Sequence, residues 1–442
     1  MQARKGEFLM ENKKLGALAF LPLIVFLGTY IGCGIVFSVM GAESPFGYFP
    51  RHVALLVGIA SALILAPGVK ISEKVDVLTE NMGRSGVMMI VLIYLMAGGF
   101  QGAAVAMGGK DSVVNLCLHF IPVKLLVPGV FLMCCFISTS IGTSMGTIAA
   151  MAPIAINVAQ GAHLNVAVVG AAVIGGSYFG DNLSMISDTT ISAAEGCGSE
   201  MKDKFKMNFF IALPAAIVAM ILYSILGGVG SGAIEAGSYS IIEVLPYFIV
   251  LIAALMGVNV AVVLFVGILA SGIIGLCVGS CGFFEWIQAI GSGMSDMFSI
   301  SIVAILVSGI IGLVREYGGV EWLVGAISSK IKSRRGAEYG IGLMSGILSA
   351  AMVNNTIAII VTCPIAKEIG EKYKIAPKRL ASLVDIFACA FIALMPHDGG
   401  MLMITALADV SPLNVLKYSF YMFGLIIATC VTIQFGLMDK KN

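Results

Sequence analysis

The chain has 442 residues, 59% of them apolar and 12% charged, with a mean hydropathy of +1.00. These values lie far outside the soluble range and point to a polytopic membrane protein whose obligatory partner is the lipid bilayer. The net charge of +1 says little about partners, since what matters is where the basic residues fall relative to the spans, and no basic, aromatic-interleaved patch suggests nucleic acid.

Residues 1–14, MQARKGEFLMENKK, precede the first apolar run without a small-residue cleavage site, so they read as a cytoplasmic segment before a retained span. Runs long enough to cross a bilayer, at ~20 residues per helix, follow at 15–37, 53–69, 86–108, 207–229, 241–257, 259–280, 297–314 and 414–437. Cysteines such as Cys33, Cys134, Cys135, Cys363, Cys389 and Cys430 fall inside apolar runs and read as small buried hydrophobes. Residues 122–160 and 338–370 are long apolar stretches interrupted by small polar residues, and 165–195 and 378–410 stop at Gly and Asp clusters.

If the two interrupted stretches are re-entrant hairpins and the two Gly/Asp-broken ones each cross once, the chain crosses ten times. Of the 26 Lys and Arg, all but Arg51, Lys110, Lys124 and Lys417 then lie on one side, which places both termini in the cytoplasm. Counting either interrupted stretch as one crossing would strand a basic cluster, Lys202 to Lys206 or Lys367 to Arg379, on the wrong side. Arms of about 15 residues, shorter than a full span, favour hairpins.

The halves read alike. ISTSIGTSMGTIAAMAPIA at 137–155 aligns with LSAAMVNNTIAIIVTCPIA at 348–366, Pro153 opposite Pro364, and YFGDN at 178–182 answers to MPHDGG at 395–400. An odd number of crossings per half inverts the second copy. The predicted fold is therefore all-α, with two inverted repeats, 15–230 and 241–438, each of five transmembrane helices plus one re-entrant hairpin, with helices broken at the midplane.

Four acids, Asp181, Asp188, Asp385 and Asp398, fall within the broken segments, with His397 as the nearby titratable base and no Lys or Arg at comparable depth. An ionised carboxylate there costs at least ~2.5 kcal/mol unless it faces water, binds a cation or takes a proton. Asp181, Asn182, Ser187, Asp188 and Thr189 offer oxygen ligands beside a helix break, and sodium at Asp181 and Asp188 is the expected occupant. A structural N-cap role competes for Asp181 and capping of the next helical piece for Ser187 and Asp188, snorkelling toward the cytoplasm competes for Asp385, six residues past Arg379, and His397 is either a proton relay beside Asp398 or a buried, hydrogen-bonded residue. The hairpin tips carry Ser138, Thr139, Ser140, Thr143 and Ser144 in one half and Asn354, Asn355 and Thr356 in the other, where a new helix N-terminus suits a carboxylate or other anion; the same side chains could equally complete a cation site. No phosphate loop, zinc motif or nucleophile elbow suggests an enzyme, and no cofactor is called for beyond sodium as the coupling or transported ion.

GGSYFGDNLSMISDTT at 175–190 resembles the signature of the NhaC-type sodium/proton antiporter family, within the wider ion transporter superfamily, in which a Gly-x-Tyr-Phe-Gly-Asp stretch precedes Ser-Asp-Thr-Thr. The resemblance extends over about residues 15–437. It implies a sodium-coupled secondary transporter of the cytoplasmic (inner) membrane, with Asp181, Ser187, Asp188 and Thr189 at the signature positions. MPHDGG departs from the Pro-Trp-Asn type stretch of many relatives, and VNNT at 353–356 is closer to carboxylate transporters. The expectation is sodium/proton antiport by alternating access. The alternative is sodium- or proton-coupled transport or exchange of a small organic acid or amino acid, and a homodimer is the assembly considered.

Overall fold

The computed structural model describes residues 15–40, 48–185, 187–227, 237–256 and 258–438. The N-terminal segment 1–14 and the side chain of Ser140 lie outside the described residues. Every regular element among those described is helical. After a 3-10 turn at Gly16–Phe20 come α1 (Leu21–Val39), α2 (Arg51–Ile64), α3 (Ile71–Met82), α4 (Ser85–Ala106) and α5 (Gly109–Phe120). Then follow α6 (Val123–Ile141), α7 (Ser144–Gly161), α8 (Val166–Leu183), α9 (Asp188–Cys197) and α10 (Met201–Leu226). The second half holds α11 (Ile241–Leu255), α12 (Val260–Val278), α13 (Phe283–Asp296), α14 (Phe298–Glu316), α15 (Gly319–Ser328), α16 (Arg334–Met352) and α17 (Asn355–Tyr373). It closes with α18 (Pro377–Ala393), α19 (Gly399–Ala408), α20 (Pro412–Leu416) and α21 (Phe420–Phe435).

Six helical stretches are long and apolar enough to span a bilayer: Gly16–Phe37, Ser85–Ala106, Val166–Cys197, Met201–Leu226, Val260–Val278 and Phe283–Glu316. The chain is an all-α polytopic membrane protein. The predicted runs at 15–37, 86–108, 207–229, 259–280 and 297–314 fall on these spans, whereas those at 53–69, 241–257 and 414–437 hold shorter apolar helices, the last split into α20 and α21; α3, α5, α13 and α15 are short helices that the apolar-run reading leaves unassigned.

The hairpin arms differ from expectation in length. α6, α7, α16 and α17 contain 19, 18, 19 and 19 residues, longer than the roughly 15 expected, because α6, α7 and α17 run on through Pro128, Pro153 and Pro364 and α16 begins earlier, at Arg334. At 1.5 Å per residue each arm is about 28 Å long, so arm length no longer separates a hairpin from two crossings. The breaks fall where the polar tips predicted them, with Gly142 in the left-handed region ending α6 and Thr143 and Asn354 capping α7 and α17.

The described residues pack as two units, those within 15–91, 299–331 and 351–353, and those within 92–298, 332–350 and 354–438. In the first, Tyr317 donates to the Ala62 carbonyl at 2.9 Å and Ser308 to that of Asn81 at 2.9 Å. The buried ammonium of Lys74 sits on the Leu63 and Leu65 carbonyls at 2.8 and 2.5 Å, a cation at the carbonyl end of α2 where the helix dipole favours it.

In the second unit α8 is the centre. It buries every residue but Val166 and Phe179 and lies against α6, α7, α10, α18 and α19, as expected of a helix apolar on all faces. Its contact with α6 depends on absent side chains. A Cβ at Gly176 would collide with the Phe131 carbonyl and Cys134, and one at Gly180 with Ser138. The two glycines, four apart, share one face and let the backbones touch, as small residues do between membrane helices. This accounts for part of the GGSYFGD motif on packing grounds alone.

Candidate cation site

The site grows out of the end of α8. The helix stops at Leu183 and the chain re-enters a helix at Asp188, so the last carbonyls of α8 have no partner along the chain. The residues after the break satisfy them. Thr189 and Thr190 hydroxyls donate to the Asp181 carbonyl at 2.9 and 3.1 Å, while Lys204 Nζ and Asn208 Nδ2, both from α10, donate to the Asn182 carbonyl at 3.0 Å each. Ser187 and Thr189 hydroxyls meet at 2.8 Å, and the Asn182 amide turns back to the Tyr178 carbonyl at 2.9 Å.

Asp181 points toward the starts of α7 and α17. One carboxylate oxygen accepts from the Ser144 backbone N–H at 2.9 Å; the other accepts from the Ser144 hydroxyl at 2.6 Å and from Asn355 Nδ2 at 3.3 Å. Ser144 and Asn355 are the first residues of α7 and α17, so two helix N-termini converge on one carboxylate. The anion expected at the tips is thus supplied by the protein itself. Asp181 is 3% exposed, and among the described residues no Lys, Arg or His pairs with it.

The other tip residues hold the tips in shape. Ser138 donates to the Ser177 carbonyl, pinning α6 to α8, and Thr139 bonds back to the Cys135 carbonyl at 2.7 Å. Thr143 accepts from Gly146 N at 3.5 Å and Asn354 from Ile357 N at 2.8 Å as N-caps. Asn355 Oδ1 accepts the Thr356 N–H at 3.0 Å.

Asp398 caps α19, taking the Met401 N–H at 3.1 Å, and receives the Tyr178 hydroxyl at 2.9 Å. The aligned stretches YFGDN and MPHDGG are therefore joined directly. His397, also buried, places Nε2 3.0 Å from the Ala350 carbonyl. Its neighbour in sequence serves a different contact, which favours the hydrogen-bonded reading over the relay.

Two expectations need correction. Asp188 is exposed at the start of α9, not deep among the carboxylates, because the break interrupts the spacing that would have put it on the Asp181 face. Asp385 is fully buried and does not snorkel; it pairs with Lys204 at 2.7 Å, both side chains at 0% exposure, and accepts from Asn208 at 2.8 Å. A basic residue does lie at the depth of the acids. Lys204 looks cytoplasmic between Lys202 and Lys206, yet it shares a buried stripe of α10 with Asn208, Ile211, Ala215 and Ala219, a helical spacing readable in the sequence. Tyr178 and Asn208 were missed as well, Tyr178 although it stands inside the motif.

The carboxylates are linked. Asn355 Nδ2 also reaches Cys389 Sγ at 3.6 Å, and Cys389 reaches Asp385 at 3.8 Å; on the other side Thr190 joins the Asp181 carbonyl to Lys204, with Lys204 Nζ 2.7 Å from its hydroxyl. Buried carboxylates beside helix ends at chain breaks in a polytopic helical protein are the marks of a secondary transporter. The chain belongs to the Na+/H+ antiporter family, which it matches over residues 5–228 and 231–440. It is 25% identical over 457 residues to the Na(+)/H(+) antiporter NhaC of Bacillus subtilis, covering 95% of this chain and 98% of that one. It is 22% identical to the arginine/ornithine antiporter ArcD of Halobacterium salinarum, covering 98% and 94%. The malate-2H(+)/Na(+)-lactate antiporter of Bacillus subtilis is 26% identical over 220 residues, 49% of this chain and less than half, 45%, of that protein. The Alcanivorax borkumensis YdaH transporter structure aligns with a TM-score of 0.40 at 12% identity, over 85% of this chain and 90% of that one.

Proposed function

We propose that the chain exchanges sodium for protons across the cytoplasmic membrane by alternating access, and that the two cations compete for Asp181. The observation that carries this reading is the Asp181 carboxylate itself: buried at a helix break, held by donors from both hairpin tips, and without a basic partner among the described residues. Three hydrogen bonds stabilise the anion but do not cancel its charge in a low-dielectric surround. A proton or a sodium ion cancels it, and only one fits at a time. Because each tip holds the same carboxylate, a shift of either tip changes its coordination, which is what alternating access requires of a site at a repeat interface. Matched helix lengths across the breaks, 18 and 10 residues for α8 and α9 against 17 and 10 for α18 and α19, support the inverted-repeat reading. The excess of basic residues on one side supports cytoplasmic termini.

Proteoliposomes loaded with a pH-sensitive dye test this directly. A sodium pulse should move protons with no organic solute present, and Asp181→Asn should reduce the signal to that of empty vesicles. No sodium-induced signal from the unmodified protein would refute the reading.

A second reading follows from the Ser144 N–H on a carboxylate. The same helix end would accept a solute carboxylate once Asp181 is protonated or moves away, and two relatives are named as exchangers of organic acids or amino acids. A screen of lactate, malate and basic amino acids should then raise sodium affinity, since linkage is reciprocal; a screen with no effect removes this alternative.

A further inference from the structure

Lys204 is placed as a transported cation would be. Its ammonium donates to the Asn182 main-chain carbonyl at 3.0 Å, the Thr190 hydroxyl at 2.7 Å and an Asp385 carboxylate oxygen at 2.7 Å. One of these oxygens is a main-chain carbonyl at the negative end of α8, one a hydroxyl beyond the break and one an anion, the mixture that hard cations take in unwound helices. Further oxygens stand close by. The buried amide oxygens of Asn182 and Asn208 have no hydrogen-bond donor, although Asn208 reaches both the Asn182 carbonyl and Asp385 with its nitrogen.

We infer that these oxygens form a second cation cage, separate from the Asp181 carboxylate, and that Lys204 occupies it as a tethered cation that keeps sodium out. A compact ammonium on a flexible stem is a strongly hydrated point charge, close to an alkali ion in what it asks of its ligands. The tether fixes one positive charge beside the break and leaves Asp181 as the sodium position. Thr190 touches both sites, donating to the Asp181 carbonyl and accepting from Lys204, so the tethered charge also steadies the peptide that carries the exchanging carboxylate. The inference rests on Asp181 being the sodium site only for the total count of ions, not for the cage.

Equilibrium binding of radioactive sodium to the purified full chain tests it. Lys204→Met removes the charge and keeps the length. Bound sodium should rise from about one to about two per chain, and Lys204→Met with Asp385→Asn should return it to about one. Lys204→Met with Asp181→Asn should also bind about one, whereas if Asp181 is not a sodium site the unmodified chain binds none and Lys204→Met alone binds about one. If Lys204→Met folds and gains no sodium, the pair is a structural salt bridge and the inference is wrong. If Lys204→Met is recovered from membranes prepared in sodium but not in choline, the cage has accepted the ion; recovery in neither overturns the inference.

Discussion

Tyr178 and Asp398 show how a single hydrogen bond ties the two broken helices together. Tyr178 is 3% exposed and its hydroxyl reaches the carboxylate that caps α19. Removing that hydroxyl with Tyr178→Phe should cost about 1.5–3 kcal/mol, the range for a hydrogen bond to a charged group, read as a lower melting temperature in detergent. Asn can replace Asp as an N-cap and Ala cannot. Asp398→Asn should therefore keep the fold and lose less sodium-driven proton flux than Asp181→Asn, while Asp398→Ala should be less stable by about 1 kcal/mol. Equal loss of flux in the two Asn variants would mean that Asp398 carries a cation too. Asp181 was legible in the sequence because an acid beside Gly180 inside an apolar run has few reasons to be there. Lys204 was not, because charge counting treats a lysine near a helix end as cytoplasmic, and only the stripe it shares with Asn208 and Ile211 shows which way it faces. Asp188 misled for the opposite reason: spacing along a helix means little across a break.

Helices α6 and α8 meet backbone to backbone, and that contact sets where the Asp181 carboxylate stands relative to the first tip. Gly180→Ala should destabilise the protein by about 1–3 kcal/mol, as overpacking does, and should displace Asp181 from Ser144. Combining it with Ser138→Ala should restore only part of the loss, because a Cβ at Gly180 meets the Ser138 main chain as well as its side chain. Full rescue, measured by thermal unfolding, would show that the hydroxyl alone sets the spacing. The polar interruptions located the element breaks well, since Gly142, Thr143 and Asn354 are a helix stop and two caps by their chemistry. Arm lengths were misjudged because proline in a membrane helix need not end it, neighbouring groups being able to satisfy the freed carbonyl.

Across the whole molecule, composition and charge distribution are enough to define a polytopic helical protein, and the GGSYFGDN and SDTT stretches point to its family. What needed three dimensions was the connectivity of the polar groups: both tips on Asp181, Tyr178 on Asp398, and Lys204 in the cage beside Asp385. Those pairs join residues far apart in the chain and leave no periodic trace. The central claim is that sodium and a proton compete for the Asp181 carboxylate, and equilibrium sodium binding across a pH series tests it most directly. For the unmodified protein the apparent sodium affinity should fall as pH is lowered, approaching about tenfold per pH unit, the limit for one proton against one ion at one site, and Asp181→Asn should abolish this component. Sodium binding that keeps the same affinity and pH dependence in Asp181→Asn would contradict the account.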